Sequence, residues 1–388
     1  MRILHIIRDL SPLTGGPVSA VGALAAAQVR DGSQVIIAST GDRSTSYSDG
    51  NGVVYHIFKA WLRYWKYSYQ FSESLSELVA WSQVVHIHTM WEYPSLAAAY
   101  RARDLQRPFL LRPCGMLDNW SLSQSSWRKR AYLGAFGRVL FSSPALIHFT
   151  SDGERLKSTV VGNVRNVVIE NGVAESAFAE RTARAFLESF PFLKSRRLLL
   201  FLGRVDPKKR PDIAIEAFSH LAAKHRDLDL VIAGPVSQQY LKLLQGLAVR
   251  FKVQSRVHFV GLLQGDVLFS AYRAAEVFLL PSMQENFGIA VVEAMAAGCP
   301  VVLSSNVDTA PVISAAGAGF VRDVDAHQFS EAIDIIISDP VVGVNMGQLG
   351  RRLAEERFTW PKAAASLNLV YESLCAGVGT NTKVSSSV

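Results

Sequence analysis

Glu285 and Glu293 stand eight positions apart in PSMQENFGIAVVEAMAAGCPVV. The run FLL before it reads as a buried strand ending at Pro281, and the segment from Gly288 onward reads as a helix rich in Ala, Val and Met. One carboxylate therefore sits in the loop that leaves a strand. The other lies about two turns further on, on the helix. Between them, Gly288 permits close backbone approach at a helix N-terminus, where unpaired N–H groups favour an anion. A loop carboxylate, an anion-ready helix start and a second carboxylate could hold a sugar, a diphosphate and a ribose in that order. The spacing equally fits a helix N-terminal acid plus one buried or surface glutamate.

Four further constellations could carry chemistry. Arg204, Lys208, Lys209 and Arg210 in FLGRVDPKKRPD follow a strand and precede a helix. Basic groups there can clamp a diphosphate, Arg by its planar fork and Lys as a point charge, or form a solvated basic turn. Gly15-Gly16-Pro17 follows the first strand and its loop. It permits a tight turn whose N–H groups approach a ligand, or a plain turn, and it is not the G-x-G-x-x-G dinucleotide fingerprint. His86 and His88 end a strand, with Trp91 and Glu92 just beyond. Alternation puts both imidazoles on one face, but two histidines without an evident third ligand make a poor metal site. A core or cleft histidine with a satisfied hydrogen bond is the default reading. Residues 59–138 hold eleven Lys/Arg against five Asp/Glu, with cations and aromatics interleaved in KAWLRYWKYSY and SSWRKRAYLGAFGR. That suits an anionic membrane surface, a groove for a phosphorylated lipid or a sugar, or a solvated face over core aromatics.

These residues need elements to position them. The strand RILHII, the helix VGALAAAQVRDG and the strand QVIIAST make a βαβ start, and the alternation continues through VVHIH, PSLAAAYRARDL, PFLLRP and ALIHFTS. It restarts at RRLLLFLGRV and runs on to VFLLP. Strands apolar along their whole length and alternating with helices indicate α/β domains, each with a parallel sheet covered on both faces. The chain of 388 residues has room for two. The boundaries read as 1–176 and 177–360, with a helix at 361–376 after the break at Thr359-Trp360-Pro361 and a disordered tail at 377–388. Ligands of open parallel sheets sit at the carboxyl ends of the strands, so the expected site is the cleft between the domains. A formal net charge of +7 is mild for this length and shows no nucleic-acid-binding tail. Three separated cysteines suggest neither a disulfide framework nor a zinc site and fit a reducing cytosol. The N-terminus meets Arg8 and Asp9 too early for a signal-peptide core, and no apolar run is long enough to span a membrane.

Taken together, the chain resembles the retaining glycosyltransferases of family 4, which have the GT-B fold of two Rossmann-like domains. The resemblance runs through Gly15–Pro17, VHIH with Trp91, RPCGML at Arg112–Leu117, TSDGE at Thr150–Glu154, NGV at Asn171–Val173, GRVDPKKR at Gly203–Arg210 and the block from Glu285 to Glu293. It implies a metal-independent hexosyl transfer with retention, from a UDP or GDP sugar to a lipid-linked or polysaccharide acceptor in cell-surface glycan synthesis. The N-terminal domain would bind the acceptor and the C-terminal domain the nucleotide sugar. By the same resemblance Arg204 and Lys209 would hold the diphosphate, and Glu285 the donor sugar's hydroxyls. Phe287, Gly288 and Ile289 would present backbone to the sugar and phosphates, Glu293 would bind the ribose, and Gly16 would approach the donor phosphate. The final helix would return to the N-terminal domain. No cofactor beyond the co-substrate, no metal and no nucleic acid is implied. The expected place is the cytoplasm, with peripheral contact to the anionic inner face of the plasma membrane.

Two residues depart from the family pattern. Cys114 stands where members usually carry a histidine that contacts the donor sugar, and a thiol is too weak a hydrogen-bond group to replace imidazole. Either the donor's hydroxyl pattern differs, His88 or another group covers the role, or activity is reduced. Arg210 stands where many members have Gly, adding charge near the diphosphate. A nucleotide-sugar 2-epimerase and a non-catalytic nucleotide-sugar-binding subunit are the alternatives on the same fold.

Overall fold

The structure, a computed structural model, describes residues 1–11, 16–62, 64–124, 126–141, 145–158, 164–180 and 182–377. Gly15 and the tail from residue 378 lie outside them. The chain divides into two compact units: Met1–Gly172 with the chain from Trp360 on, and Val173–Thr359.

The first unit is built on eight strands: β1 (Arg2–Asp9), β2 (Gln34–Gly41), β3 (Thr45–Ser48), β4 (Val54–Lys59), β5 (Val84–His88), β6 (Phe109–Arg112), β7 (Ala145–Phe149) and β8 (Asn166–Val168). Their order is β3-β4-β2-β1-β5-β6-β7-β8, parallel throughout except for the β3–β4 pair. That hairpin is an addition to the expected alternation. The exposed TSYS of β3 shows no apolar run, and an edge strand this short and polar guards the sheet against pairing with another chain. The second unit carries β9 (Arg197–Leu202), β10 (Leu228–Ala233), β11 (Val257–Gly261), β12 (Val277–Leu280), β13 (Val301–Ser304) and β14 (Gly319–Arg322), in the order β11-β10-β9-β12-β13-β14 and all parallel. The central runs VFLL and VVLS are buried at every position, as strands covered on both faces must be.

Each sheet reverses its winding once, between β1 and β5 in the first unit and between β9 and β12 in the second. Loops leaving adjacent strands part there toward opposite faces and open a crevice at the carboxyl edge. Asp9 and His88 end the first such pair of strands, and the loops carrying Arg204 and Glu285 follow the second.

The last helix, Trp360–Cys375, packs on the helix Gly16–Arg30 of the first unit. Trp360, Ala363, Ala364, Leu367 and Tyr371 are buried at helical spacing, and the facing helix buries Ala20, Val21, Leu24, Ala25 and Ala27. Alanines on both sides let the two axes approach closely. Among the described residues no helix is long and apolar enough to cross a membrane.

Candidate functional site

The second unit gathers its chemistry on two loops. After β9 the chain turns through Gly203 into Arg204 and a short 3-10 turn, Pro207–Lys209, which Asp206 caps by accepting from the backbone N–H groups of Lys208 and Lys209. After β12 the second loop ties onto the first: the Met283 N–H donates to the Lys208 carbonyl at 2.8 Å. The tie brings the Lys209 ammonium against the Glu285 carboxylate in an ion pair whose side chains are both mostly enclosed. Glu285 is held from its far side too, since the Asp308 N–H donates to the Glu285 carbonyl at 2.9 Å. The cation expected on a diphosphate and the acid expected on a sugar, 76 positions apart, thus share one spot.

Two other cations of this turn also face carboxylates, Arg210 among them. Its guanidinium forks onto Asp212 at 2.8–3.0 Å, and its backbone adopts a left-handed φ of 52°. Arg204 donates to Asp206 at 2.6 Å and remains largely exposed. Gly288 caps the helix Ile289–Ala296 at φ 73°, where a Cβ would come within 3.2 Å of Val291 and 3.3 Å of Val307. Only glycine fits there without strain. Phe287 is buried edge-on against Phe358, and its carbonyl accepts from the Thr309 hydroxyl. Asn286, which sequence reasoning passed over, holds a buried amide Nδ2 without a partner. A donor left so beside Glu285 needs a ligand or water.

Glu293, on the face of the Ile289–Ala296 helix, accepts from the Tyr272 hydroxyl at 2.8 Å. Burial pushes its carboxyl up to about 7, against the pull of that hydroxyl. The folded chain therefore holds a proton that the unfolded chain, near 4.5, has released. The stabilisation is whole below about 4.5 and gone once pH passes about 7. The four buried histidines described below act in the opposite sense at lower pH, so the comparison is between wild type and Glu293→Gln. We expect Glu293→Gln to remove part of the fall in melting temperature between pH 5 and pH 8; equal falls in both proteins would refute the assignment.

In the first unit, the motifs RPCGML, TSDGE and NGV are woven together. Arg112, buried at the end of β6, donates to Asn171 Oδ1 at 2.5 Å. The buried Glu154 accepts from the Gly115 N–H, the Thr150 N–H and the Thr150 hydroxyl, which fixes the loop after β6 to the loop after β7. Cys114 adopts φ 53° on the first of these loops, and its thiol donates weakly to the Arg112 carbonyl at 3.6 Å. Burial pushes the thiol's pKa up, so it stays protonated. Thr89, one residue past His88, is also left-handed at φ 69°. A β-branched residue in that region is a strained outlier, and such strain gathers at functional loops. Gly16 begins the Gly16–Arg30 helix and is exposed. Beside β1, Arg8 and Lys66 pair with Asp9, and Arg8 also holds Glu92 at 2.7 Å.

The reading of His86 and His88 as a pair lacking a third ligand is corrected. Pairing of β1 with β5 sets His5 opposite His86, and His148 of β7 completes four buried imidazoles. Their ring nitrogens are engaged with one another, Gln28, Tyr371 and the Ile169 carbonyl, save Nδ1 of His88. Rings so occupied make a hydrogen-bonded layer rather than a ready metal site. Burial, with the Arg112 guanidinium nearby, lowers all four, His5 to about 4 and His148 to about 3. All four are neutral at pH 7.

Two doubly wound parallel sheets, each with its polar groups at the carboxyl edge of the winding reversal, define the GT-B class of glycosyltransferase fold. Solved structures agree: sucrose-phosphate synthase from Thermosynechococcus elongatus matches with a TM-score of 0.76 at 21% identity, covering 97% of this chain and 99% of that one. HepE from Anabaena, crystallised with UDP-glucose, matches with 0.76 at 17% identity, over 96% and 100%. Residues 182–354 match the glycosyl transferases group 1 family model and residues 15–172 the glycosyl transferase 4-like domain model. The chain belongs to the group 1 glycosyltransferases. D-inositol 3-phosphate glycosyltransferase of Streptomyces avermitilis is 33% identical over 214 residues, 53% of this chain and 46% of that protein. The chain thus spans about half the length of the curated relatives it matches.

Proposed function

We propose that the chain moves a hexosyl unit from a UDP or GDP sugar to a lipid-linked or polysaccharide acceptor, with retention and without a bound metal. The observation that carries this reading is the Lys209–Glu285 pair at the winding reversal of the second unit. A cation and a carboxylate side by side suit the two ends of a sugar diphosphate. The group 1 family and the UDP-glucose held by a fold neighbour support the donor class. When donor binds, Lys209 and Arg204 turn from their carboxylates toward the diphosphate, and Glu285 takes the sugar hydroxyls. Phe287, Gly288 and Ile289 offer backbone beside the phosphates, and Glu293 takes the ribose. The acceptor oxygen attacks the anomeric carbon on the face the diphosphate leaves. The bond to the phosphate oxygen breaks, and the acceptor proton passes to that oxygen. Positioning and charge stabilisation do the catalysis.

A thermal-shift panel of nucleoside diphosphates and their sugars tests the donor. Selective binding raises the melting temperature by mass action. UDP or GDP release from the selected sugar should then survive EDTA. A panel with no selective response, or full loss of turnover in EDTA, would sink the reading. Release of free sugar without any acceptor would favour the 2-epimerase. Binding without turnover would favour a non-catalytic subunit, the reading that Cys114 supports.

The acceptor side has a second expected partner, an anionic membrane. Trp61, Leu62 and Tyr64 are exposed after β4, with the Lys59 ammonium over the Trp61 ring, and Trp127 is exposed beside Arg128. Interfacial aromatics among cations bind such a surface by burial and charge together. We expect flotation with vesicles containing phosphatidylglycerol, weakened by salt and by Trp61→Ala with Tyr64→Ala. Flotation indifferent to salt and lipid charge would overturn this.

A further inference from the structure

The four-histidine layer of the first unit has a direction. Its starting point is a group that can only accept, the Ile169 backbone carbonyl, 2.8 Å from His148 Nε2. His148 must carry its proton on Nε2, and a neutral ring has one N–H, so its Nδ1 is an acceptor. His86 Nε2, 3.2 Å away, must then donate to it. His86 Nδ1 is left to accept from the Tyr371 hydroxyl at 2.7 Å. With its proton committed, the Tyr371 oxygen receives the Gln28 amide N–H at 3.4 Å. The Gln28 amide oxygen accepts from His5 Nε2 at 2.8 Å. His5 Nδ1 in turn accepts from His88 Nε2 at 2.9 Å. Every tautomer follows from one backbone carbonyl, and the chain ends at His88 Nδ1 as a bare lone pair.

That lone pair has no protein donor. It stands at the carboxyl end of β5, in register with Arg112 of β6, and one residue before Thr89. The Arg112 Nε–H and the Thr89 hydroxyl are also buried without partners. One orphan can only accept, one can only donate, and one can do either. An O–H group is donor and acceptor at once, and its donated proton is what the His88 Nδ1 lone pair lacks. Its place is the carboxyl edge of the sheet beside the winding reversal.

We propose that Ile169, His148, His86, Tyr371, Gln28 and His5 form a one-way hydrogen-bond chain that fixes His88 as the Nε2–H tautomer, and that His88 Nδ1 accepts a hydrogen bond from a hydroxyl of the ligand bound by the first unit. The ligand class is a polyol or sugar, and this rests on the proposed glycosyl transfer. Tyr371, Gln28, His5, His86 and His148 are positioning residues that act through His88. The chain also gives the returning C-terminal helix a task, since Tyr371 joins the two histidine pairs.

Two-bond proton–nitrogen correlation spectra of the full chain, carrying isotope-labelled histidine, read each tautomer at neutral pH. We expect all four rings neutral, with the proton on Nε2 in each. Tyr371→Phe should let the Gln28 amide turn over and bring in the Nδ1–H form of His88. The functional arm follows UDP release from UDP-glucose, or GDP release from GDP-mannose, in the presence of neutral glycosides. Asparagine places its side-chain oxygen where Nδ1 stands, whereas glutamine reaches toward Nε2 and His5. We expect His88→Asn to retain about tenfold more activity than His88→Gln, the worth of one hydrogen bond to a bound hydroxyl. A purely structural His88, or one satisfied by a resident water only, predicts that Gln equals or exceeds Asn. That ranking, or an Nδ1–H His88 in the wild-type spectra, overturns the inference. The spectra decide the chain whether or not either donor turns over, and wild-type failure with both donors counts against the proposed function instead.

Discussion

Glu285→Ala should lower turnover by roughly 10²–10³-fold while UDP, or whichever nucleotide the panel selects, still binds. The carboxylate lies against Lys209, so removing it frees a partly enclosed ammonium that the diphosphate can claim. Nucleotide affinity should hold or rise while the sugar loses its grip. The fold should lose about 1–3 kcal/mol, because the variant leaves the mostly enclosed Lys209 ammonium without its partner. Glu285→Gln separates charge from shape: its turnover should fall nearly as far if the carboxylate's charge matters. Calorimetric nucleotide binding beside turnover measures both quantities. Native turnover in the alanine variant would remove Glu285 from the site, and lost nucleotide binding would make it a structural clamp on Lys209.

The second large effect is on stability. Gly203 and Gly234 leave β9 and β10 side by side, and a Cβ on Gly234 would stand 1.8 Å from the Gly203 carbonyl oxygen. That neighbour is backbone and cannot swing away, and Gly234 also adopts φ 136°, where side chains are strained. Gly234→Ala should therefore cost roughly 3 kcal/mol or more, with a melting temperature lower by about 6–12 °C in a unit of this size. Because Gly203 opens the turn that carries Arg204 and Lys209, nucleotide binding should weaken as well. Gly246→Ala is the control: this glycine lies inside the helix Gln238–Arg250 with open space around it, and alanine there should add about 0.5–1 kcal/mol. Matching melting temperatures for the two variants would show that the close approach is tolerated.

What the sequence disclosed and what it withheld divide along one physical line. Runs such as VFLL, VVL and LVIA are apolar throughout because both faces of a parallel strand are covered, so two α/β domains were legible. The β3–β4 hairpin was not, since TSYS is fully exposed and carries no apolar signature. At the candidate site, Glu285, Gly288 and the basic turn could be picked out by residue type and by place after a strand. Their mutual pairing could not. Lys209 meets Glu285 only because β9 and β12 are neighbours in the sheet, which is a matter of strand order. The same holds for the histidines. His86 and His88 show as an alternating pair, but His5 joins them through the β1–β5 register, and Gln28 meets Tyr371 across 343 positions. Local pattern carries residue chemistry, whereas crossover topology decides which chemistries meet. The Arg210–Asp212 pair joins residues two positions apart, so local pattern carries it.

The chain leaves the first unit after Gly172 and re-enters it at Trp360, and the two ends of the second unit are stitched together where the Val173 N–H donates to the Phe358 carbonyl at 2.9 Å. During synthesis, then, the second unit is complete and free to fold while the first still lacks the helix that roofs its histidines. A nascent chain made only to residue 359 would hold every residue of the second unit and lack the helix that carries Tyr371. Such a nascent chain would need shelter until the last helix arrives.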